Sequence, residues 1–403
     1  MNPLRRLPTR KLLAMIAGVV VLGGSVTAVA VAALGGAGPI PPAKTLAAAI
    51  HDAINGPKIE GVTADIQFTN NLIDSSSIPG STPLLKGATG RLWASNDGHL
   101  RLELQSSRGD TEIIVSPSAF SVYDAASNTV YRGTFPAEKP PAGKPATTEP
   151  AHTPPTLQTI TDALNKLMDK VGVSGADPTD VGGAPAYTVT LSPKHDGGLL
   201  GSAQLAFDAV NGAPLRLAVY AQGNSSPVLE LKATDVSFGP VAPGNLTVAP
   251  PSSAKVVEVT QPASKDATAA GAHAHGKVQV KSGAAAVAAA LPFKLDAPAT
   301  LAGLPQTSVK LLSFGKKPAA LVTYGQHLGA ILVVERPTDA KAPAKSTGSS
   351  SDSPLPTVSI NGASGTELAT ALGTFLTFDR GGVSYVVAGS VPPAAAEAAA
   401  RGL

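Results

Sequence analysis

Along residues 186–259 apolar and polar positions alternate in run after run. Tyr187, Val189 and Leu191 stand against Thr188 and Thr190; Leu215, Leu217 and Val219 repeat the period, and so do Leu229 and Leu231. A period of two is that of a strand with one face on a core. Asn211-Gly212 separates two of these runs, and this dipeptide favours a hairpin turn because both residues tolerate positive φ. Consecutive strands joined by short turns predict an antiparallel meander, and a broad antiparallel sheet needs a cover for its apolar face.

The rest of the chain divides by the same test. Thr45 predicts the cap of a short helix with Leu46, Ala49, Ile50 and Ala53 on one face and Asn55-Gly56 as its stop. Val62, Ala64, Ile66 and Phe68 mark a first strand. Residues 87–135 read as a meander of about five strands, with Leu100, Leu102 and Leu104 inward against Arg101, Glu103 and Gln105. The Pro-rich insertion 136–155 holds no packing pattern and reads as extended. Leu157, Ile160, Leu164, Leu167, Met168 and Val171 then recur at helical spacing up to Gly172, which predicts a helix whose apolar stripe is buried on the sheet. These elements make a first domain over 45–259. Residues 260–287 read as a linker, and 288–403 as a smaller second domain with strands near 309–314, 319–324, 330–335, 358–360, 375–378 and 383–388. It carries a flexible insertion at 336–356 and ends in an Ala-rich helix.

Composition changes the picture mainly at the N-terminus. Arg5, Arg6, Arg10 and Lys11 precede residues 12–34, which carry no charge. At ~1.5 Å per residue such a run can cross a hydrocarbon core of ~30 Å. Residues 1–34 are therefore expected to be a signal peptide or a membrane anchor in the cytoplasmic membrane, with the rest of the chain exported to the cell envelope. Elsewhere 43% of residues are hydrophobic and lie in periodic runs, which favours folded units over disorder. A net charge of +3 without a stripe of Lys and Arg argues against a nucleic-acid partner. Cysteine is absent, which removes disulfides, thiolate ligands and a cysteine nucleophile.

Candidate chemistry is sparse. His273 and His275 are close neighbours in the linker but have no carboxylate cluster beside them, so no metal site is expected, and no cofactor. Ser252 and Lys255, like Ser313 and Lys316, fit a Ser-x-x-Lys spacing, but neither serine opens a helix. Residues 271–277 have the glycine and lysine spacing of a phosphate loop, yet Val278 stands where a metal-binding hydroxyl is needed. No enzyme is expected. Trp93, the single tryptophan, lies in a strand and reads as core.

The order of elements from 45 to 259, with the FDAVNGAPLRLAVY hairpin, the TDVSFGPV strand and the closing APPSSAKVVEV tail, resembles the LolA family of outer-membrane lipoprotein-sorting proteins. The two-domain layout is similar to that of the periplasmic regulator RseB; AALVTYGQHLGAILVVE, VSINGASGTEL and LTFDRGGVSYVVAGSVP carry the likeness of the smaller domain. The chain departs from the family pattern at Leu246, where an aromatic residue is common, and at Ser253, where glycine is common. The Pro-rich insertion has no counterpart. The resemblance implies an α+β protein: a curved, incompletely closed antiparallel β-barrel plugged by helices, plus a smaller C-terminal α+β domain. It implies a lipid or acylated ligand in a hydrophobic cavity and a carrier-like role. The alternative is an envelope sensor acting through contacts with another envelope protein. On pattern alone Leu157, Ile160, Leu164 and Leu167 of the helix are core, and Leu100, Leu102, Leu104, Phe207, Leu217 and Val219 stand on inward strand faces. The resemblance makes these ten residues the candidate wall of the cavity.

Overall fold

The computed structural model describes residues 38–73, 83–107, 109–135, 155–195, 197–259, 282–314, 317–338 and 355–403. The expected leader at 1–34, nearly all of the Pro-rich insertion, most of the linker with His273 and His275, and most of the insertion at 336–356 lie outside them. Among the described residues no helix is long and apolar enough to cross a membrane.

The described residues are mostly β, in two sheets. In the first, β1 (Gly61–Asn70), β2 (Ala88–Ser95), β3 (Leu100–Ser106), β4 (Gly109–Val115), β5 (Ala119–Asp124) and β6 (Thr129–Thr134) form an antiparallel meander. β7 (Val171–Val173) and β8 (Asp177–Val181) both pair with β9 (Ala184–Pro193), from which the ladder runs through β10 (Leu200–Asp208) and β11 (Pro214–Ala221) to β12 (Leu229–Phe238) and so to β1. The closing tail is β13 (Lys255–Glu258), which lies parallel to β6.

The local chemistry explains the hairpin. Asp208 Oδ1 accepts the backbone N–H groups of Val210 (2.9 Å) and Asn211 (2.8 Å), while Gly212 takes the positive φ of 76° that closes the turn. Burial pushes the Asp208 carboxyl up, and these two bonds act against that shift. The register slips between Asp65 and Ile66 of β1, and twice between β10 and β11. Each bulge bends its strand and adds twist, which curls so broad a sheet into a half-barrel. The curl is visible in the packing: Val181 and Ala184 of the β8–β9 turn share a core with Ala233 of β12, although β10 and β11 lie between them in the ladder.

Two of the first sheet's helices bear on its apolar side. α1 (Leu46–Ile54) starts at Thr45, whose Oγ1 accepts the Ala48 N–H at 3.3 Å, and buries Ala49 and Ala53 against Tyr187, Val189 and Phe207. α2 (Pro83–Lys86) sets Leu84 against the core around Leu104 and Phe68. α3 (Leu157–Met168) departs from the expected burial on the sheet: it lies along α1 and the short edge strand β7. Because α1 already occupies the sheet above β9 and β10, only Ile160 of the α3 stripe is buried, and Leu157 and Leu167 keep 46% and 41% of their surface exposed. α4 (Pro243–Leu246) packs on β2 and β3.

The second sheet has the order β14-β15-β16-β17-β21-β20-β19-β18. Its strands are β14 (Thr300–Leu301), β15 (Leu304–Phe314), β16 (Lys317–Tyr324), β17 (Ile331–Pro337), β18 (Thr357–Ile360), β19 (Ala363–Thr370), β20 (Gly373–Arg380) and β21 (Val383–Gly389). Val322, Val333, Val387 and Leu376 pair across four strands and form one buried row. α5 (Ala284–Ala288) adds Val287 to this core, and α6 (Pro393–Arg401) adds Ala396, Ala399 and Ala400. One buried position breaks the apolar pattern. Glu335 shares the inward face of β17 with Ile331 and Val333; its Oε2 accepts the Asp296 N–H at 3.0 Å, and its buried Oε1 has no partner. Desolvation pushes its carboxyl up to about 7 and the nearby Tyr324 hydroxyl up to about 12.

The sheets meet through loops. The Leu199 N–H points at the Ser390 carbonyl and hydroxyl oxygens, each at 3.0 Å, and the Ala371 N–H donates to the Leu72 carbonyl at 2.8 Å.

Candidate functional site

Cross-strand partners point to the same side of a sheet, so the register sorts side chains into faces. Leu205, Leu217, Leu231, Phe68 and Ala88 form one row across β10, β11, β12, β1 and β2. Leu104, Gly90, Ile66 and Ala233 form another, and Leu102, Leu92, Ala64 and Val236 a third. Val219 pairs with Leu229 and Ala203, and Phe207 with Tyr187. Leu100, Leu102, Leu104, Phe207, Leu217 and Val219 therefore stand on one apolar face of the first sheet.

The opposite face is charged. Arg91 pairs with Asp65 (2.9 Å), Arg101 with Glu112 (2.6 Å) and Arg216 with Glu230 (2.6 Å). Trp93 belongs to this face, since it pairs with Arg101 and Thr63; the Arg101 guanidinium lies 4.7 Å from its ring centroid and seals it from water. It does not line the apolar face.

Coverage of the apolar face is uneven. Phe207 lies buried under α1 with its ring 5.9 Å from that of Tyr187, and Leu104, beside Leu84, has 1% of its surface exposed. Between these two buried patches Leu217 is 38% exposed, and Leu205, Leu229, Leu231 and Val219 are half-buried. Leu100 and Leu102 are also half-buried. On α3, Ile160 is buried, Leu164 is half-buried, and Leu157 and Leu167 are exposed. The structure thus brings six of the ten candidates onto one face, with Phe207 and Leu104 already enclosed by the protein itself, and sets the helical four beside the β7 end.

At that end the apolar face runs into a cavity of ≈ 320 Å³ between the two sheets. Leu191 and Ala203, a cross-strand pair of the apolar face, form part of its wall together with Val171 and Leu200. His327 and Leu328, in the turn between β16 and β17, close it from the second sheet. The His195 and His327 rings stack with centroids 4.6 Å apart. Residues 170, 195 and 327 are too far apart in the chain for spacing to reveal this site.

Among the described residues no group of three or more His, Asp or Glu side chains is arranged to hold a metal. The Ser252–Lys255 pair falls in a turn and at the start of edge strand β13, where Asn128 Nδ2 donates to the Ser253 carbonyl at 3.1 Å.

No family model and no curated protein matches the chain. Solved structures similar to it include MucB in complex with the periplasmic part of MucA, at 15% identity over 88% of this chain and 94% of that one, with a TM-score of 0.38. The Pseudomonas aeruginosa MucA/MucB complex matches at 14% identity over the same shares, also with a TM-score of 0.38. An outer-membrane lipoprotein-sorting protein domain from Vibrio parahaemolyticus matches at 10% identity over 48% of this chain and 92% of that one, with a TM-score of 0.17.

Proposed function

We propose that this is an exported cell-envelope protein that binds a lipid or acyl chain on the apolar face of its first sheet, as a carrier and without catalysis. The observation that carries the reading is the row Leu205–Leu217–Leu231, a continuous apolar strip that no helix of the described residues covers and in which Leu217 is 38% exposed. In this reading the sheet acts as an incompletely closed barrel. α3, whose Leu157 and Leu167 are exposed and whose Leu164 is half-buried, is the plug that shares its stripe with the ligand. The leader at 1–34 delivers the chain outside the cytoplasm, and 45–259 and 288–403 act as two domains.

The energetics suit reversible transfer. A methylene gains ~0.8 kcal/mol on leaving water but little on leaving a bilayer, so a membrane or acceptor protein competes with the site on near-equal terms. Native mass spectrometry of the chain purified from an exporting bacterial host tests the reading. A stoichiometric lipid retained through purification is the expected result; a bare mass, with no uptake of added fatty acid or phospholipid, overturns it.

A second reading has its own observation. The second sheet is held at His195 and Leu199, next to the same apolar face, so occupancy there has a route to the second sheet. A sensor of this kind binds an envelope protein when empty and releases it when lipid is added, whereas a plain carrier exchanges lipid with no such partner.

A further inference from the structure

The apolar strip has two unlike ends. Toward β2 it continues into the buried core around Phe68 and Leu104. Toward β9 the Leu205 row ends on Val189, buried under α1, while the adjoining Leu191–Ala203–Val219 row opens into the cavity between the sheets, where four nitrogen-bearing side chains gather: Lys170 behind α3, Lys194 and His195 after β9, and His327 on the facing turn of the second sheet. No carboxylate of a described residue lines this cavity, and none pairs with Lys170 or Lys194. Two lysine charges with two imidazole rings beside them, above an apolar floor, match a ligand that is apolar at one end and anionic at the other.

We propose that this cavity holds the anionic end of the amphiphile, a carboxylate or phosphate head group, while its acyl part runs along the Leu191–Ala203 and Leu205–Leu217 rows. The assignment rests on the reading of the apolar face given above and adds a direction to it: head group between the sheets, chain tail toward β12. Size agrees. At ≈ 320 Å³ the cavity lies at the small end of ligand sites, enough for a head group and the first carbons but not for a whole lipid. The geometry of His327 points the same way. It holds a left-handed φ of 56°, uncommon for a side chain of its size, and this turn places its ring against His195 at the cavity mouth. Because His327 belongs to the second sheet and the other three groups to the first, a bound anion bridges the two sheets.

The test is calorimetric titration of the full chain with three ligands of equal length: decanoate, decyl phosphate and decanol. Both anions are expected to bind about tenfold or more tightly than decanol, since charge-assisted hydrogen bonds are absent from the alcohol. The double variant Lys170→Gln/Lys194→Gln, with both residues exposed and no ion pair to either among the described residues, is expected to lose that advantage without weakening decanol. Lys58→Gln/Lys310→Gln, the same charge change on other exposed surfaces, is expected to keep it. Tighter phosphate than carboxylate assigns the site to phospholipid head groups, and the reverse order to fatty acids. Equal binding of all three ligands, unchanged in the variant, overturns the head-group site while leaving the apolar-face reading intact. No binding of any of the three overturns both.

Discussion

The two sheets differ in what lies over their apolar sides. Over the second, α6 presents Ala396, Ala399 and Ala400, small enough for the helix to lie close to β20 and β21, and no surface is left exposed at Val322, Val333, Leu376 and Val387 of the same core. Over the first, α1 and α2 cover two patches, and α3 stands on α1 with large leucines facing outward. One sheet is finished by its own chain. The other keeps apolar area that no helix of the described residues covers, which is the kind of surface on which an apolar group can be buried.

Deleting a side chain on each sheet sharpens the contrast most. Leu376→Ala leaves a cavity in a closed core and is expected to cost about 2–5 kcal/mol. Leu217→Ala removes a side chain that water already reaches and should cost less than about 1 kcal/mol. Urea unfolding of the full chain measures both. Equal losses would mean that the first face is as closed as the second, and the comparison breaks.

The closed core also contains a group that should resist ionisation. Glu335 is held protonated in the folded state up to about 7, whereas in the unfolded chain it ionises from its ordinary value of 4.5. Its stabilising effect is therefore fully present below about pH 4.5 and is lost as pH rises toward 7, about 3 kcal/mol in all. Glu335→Gln, neutral at every pH and nearly the same shape, is expected to flatten that slope and to raise stability at neutral pH. Thermal melts across pH 4 to 8 on both proteins give the answer; parallel curves would show that Glu335 does not set the slope.

On the open sheet the matching charge experiment acts on binding. Leu217→Glu places a carboxylate in the middle of the uncovered row, where solvent keeps it tolerable without ligand but an acyl chain would bury it. Decanoate affinity should fall by about tenfold or more, with stability changed by less than about 1 kcal/mol. Unchanged affinity would remove the row from the binding face.

Much of this contrast was legible in the sequence, because alternation reports faces directly. Leu100, Leu102 and Leu104 fall on the apolar face as their spacing predicts, Asn211-Gly212 closes its hairpin, and Thr45 caps its helix. Other features were hidden by composition or distance. β8, GADPTDVGG with its flanks, carries too many Gly, Pro and Asp residues to read as a strand, yet pairing with β9 makes it one. The parallel pairing of β13 with β6 joins residues more than a hundred positions apart, which no local pattern encodes. Helical spacing announced the stripe of α3 but not what would lie beneath it, since α1 reached that part of the sheet first. The cavity rim needed Lys170, His195 and His327 from three separate segments.

Trp93 gives the smallest expected effect and a strict control on face assignment. Its neighbour Leu92 pairs with Leu102 and so belongs to the apolar face, which by the period of two puts Trp93 on the other side, between Arg91 and Arg101. It is the only tryptophan, so the intrinsic emission of the protein reports on that charged face alone. Saturating decanoate should leave the emission maximum where it was. In a Trp93→Phe/Leu217→Trp variant, where the reporter moves through the sheet to the open row, the same ligand should shift emission to shorter wavelength as water leaves the ring. A shift at Trp93 itself would show that ligand lies against the ion-pair face, and the half-open apolar row would lose its claim to the acyl chain.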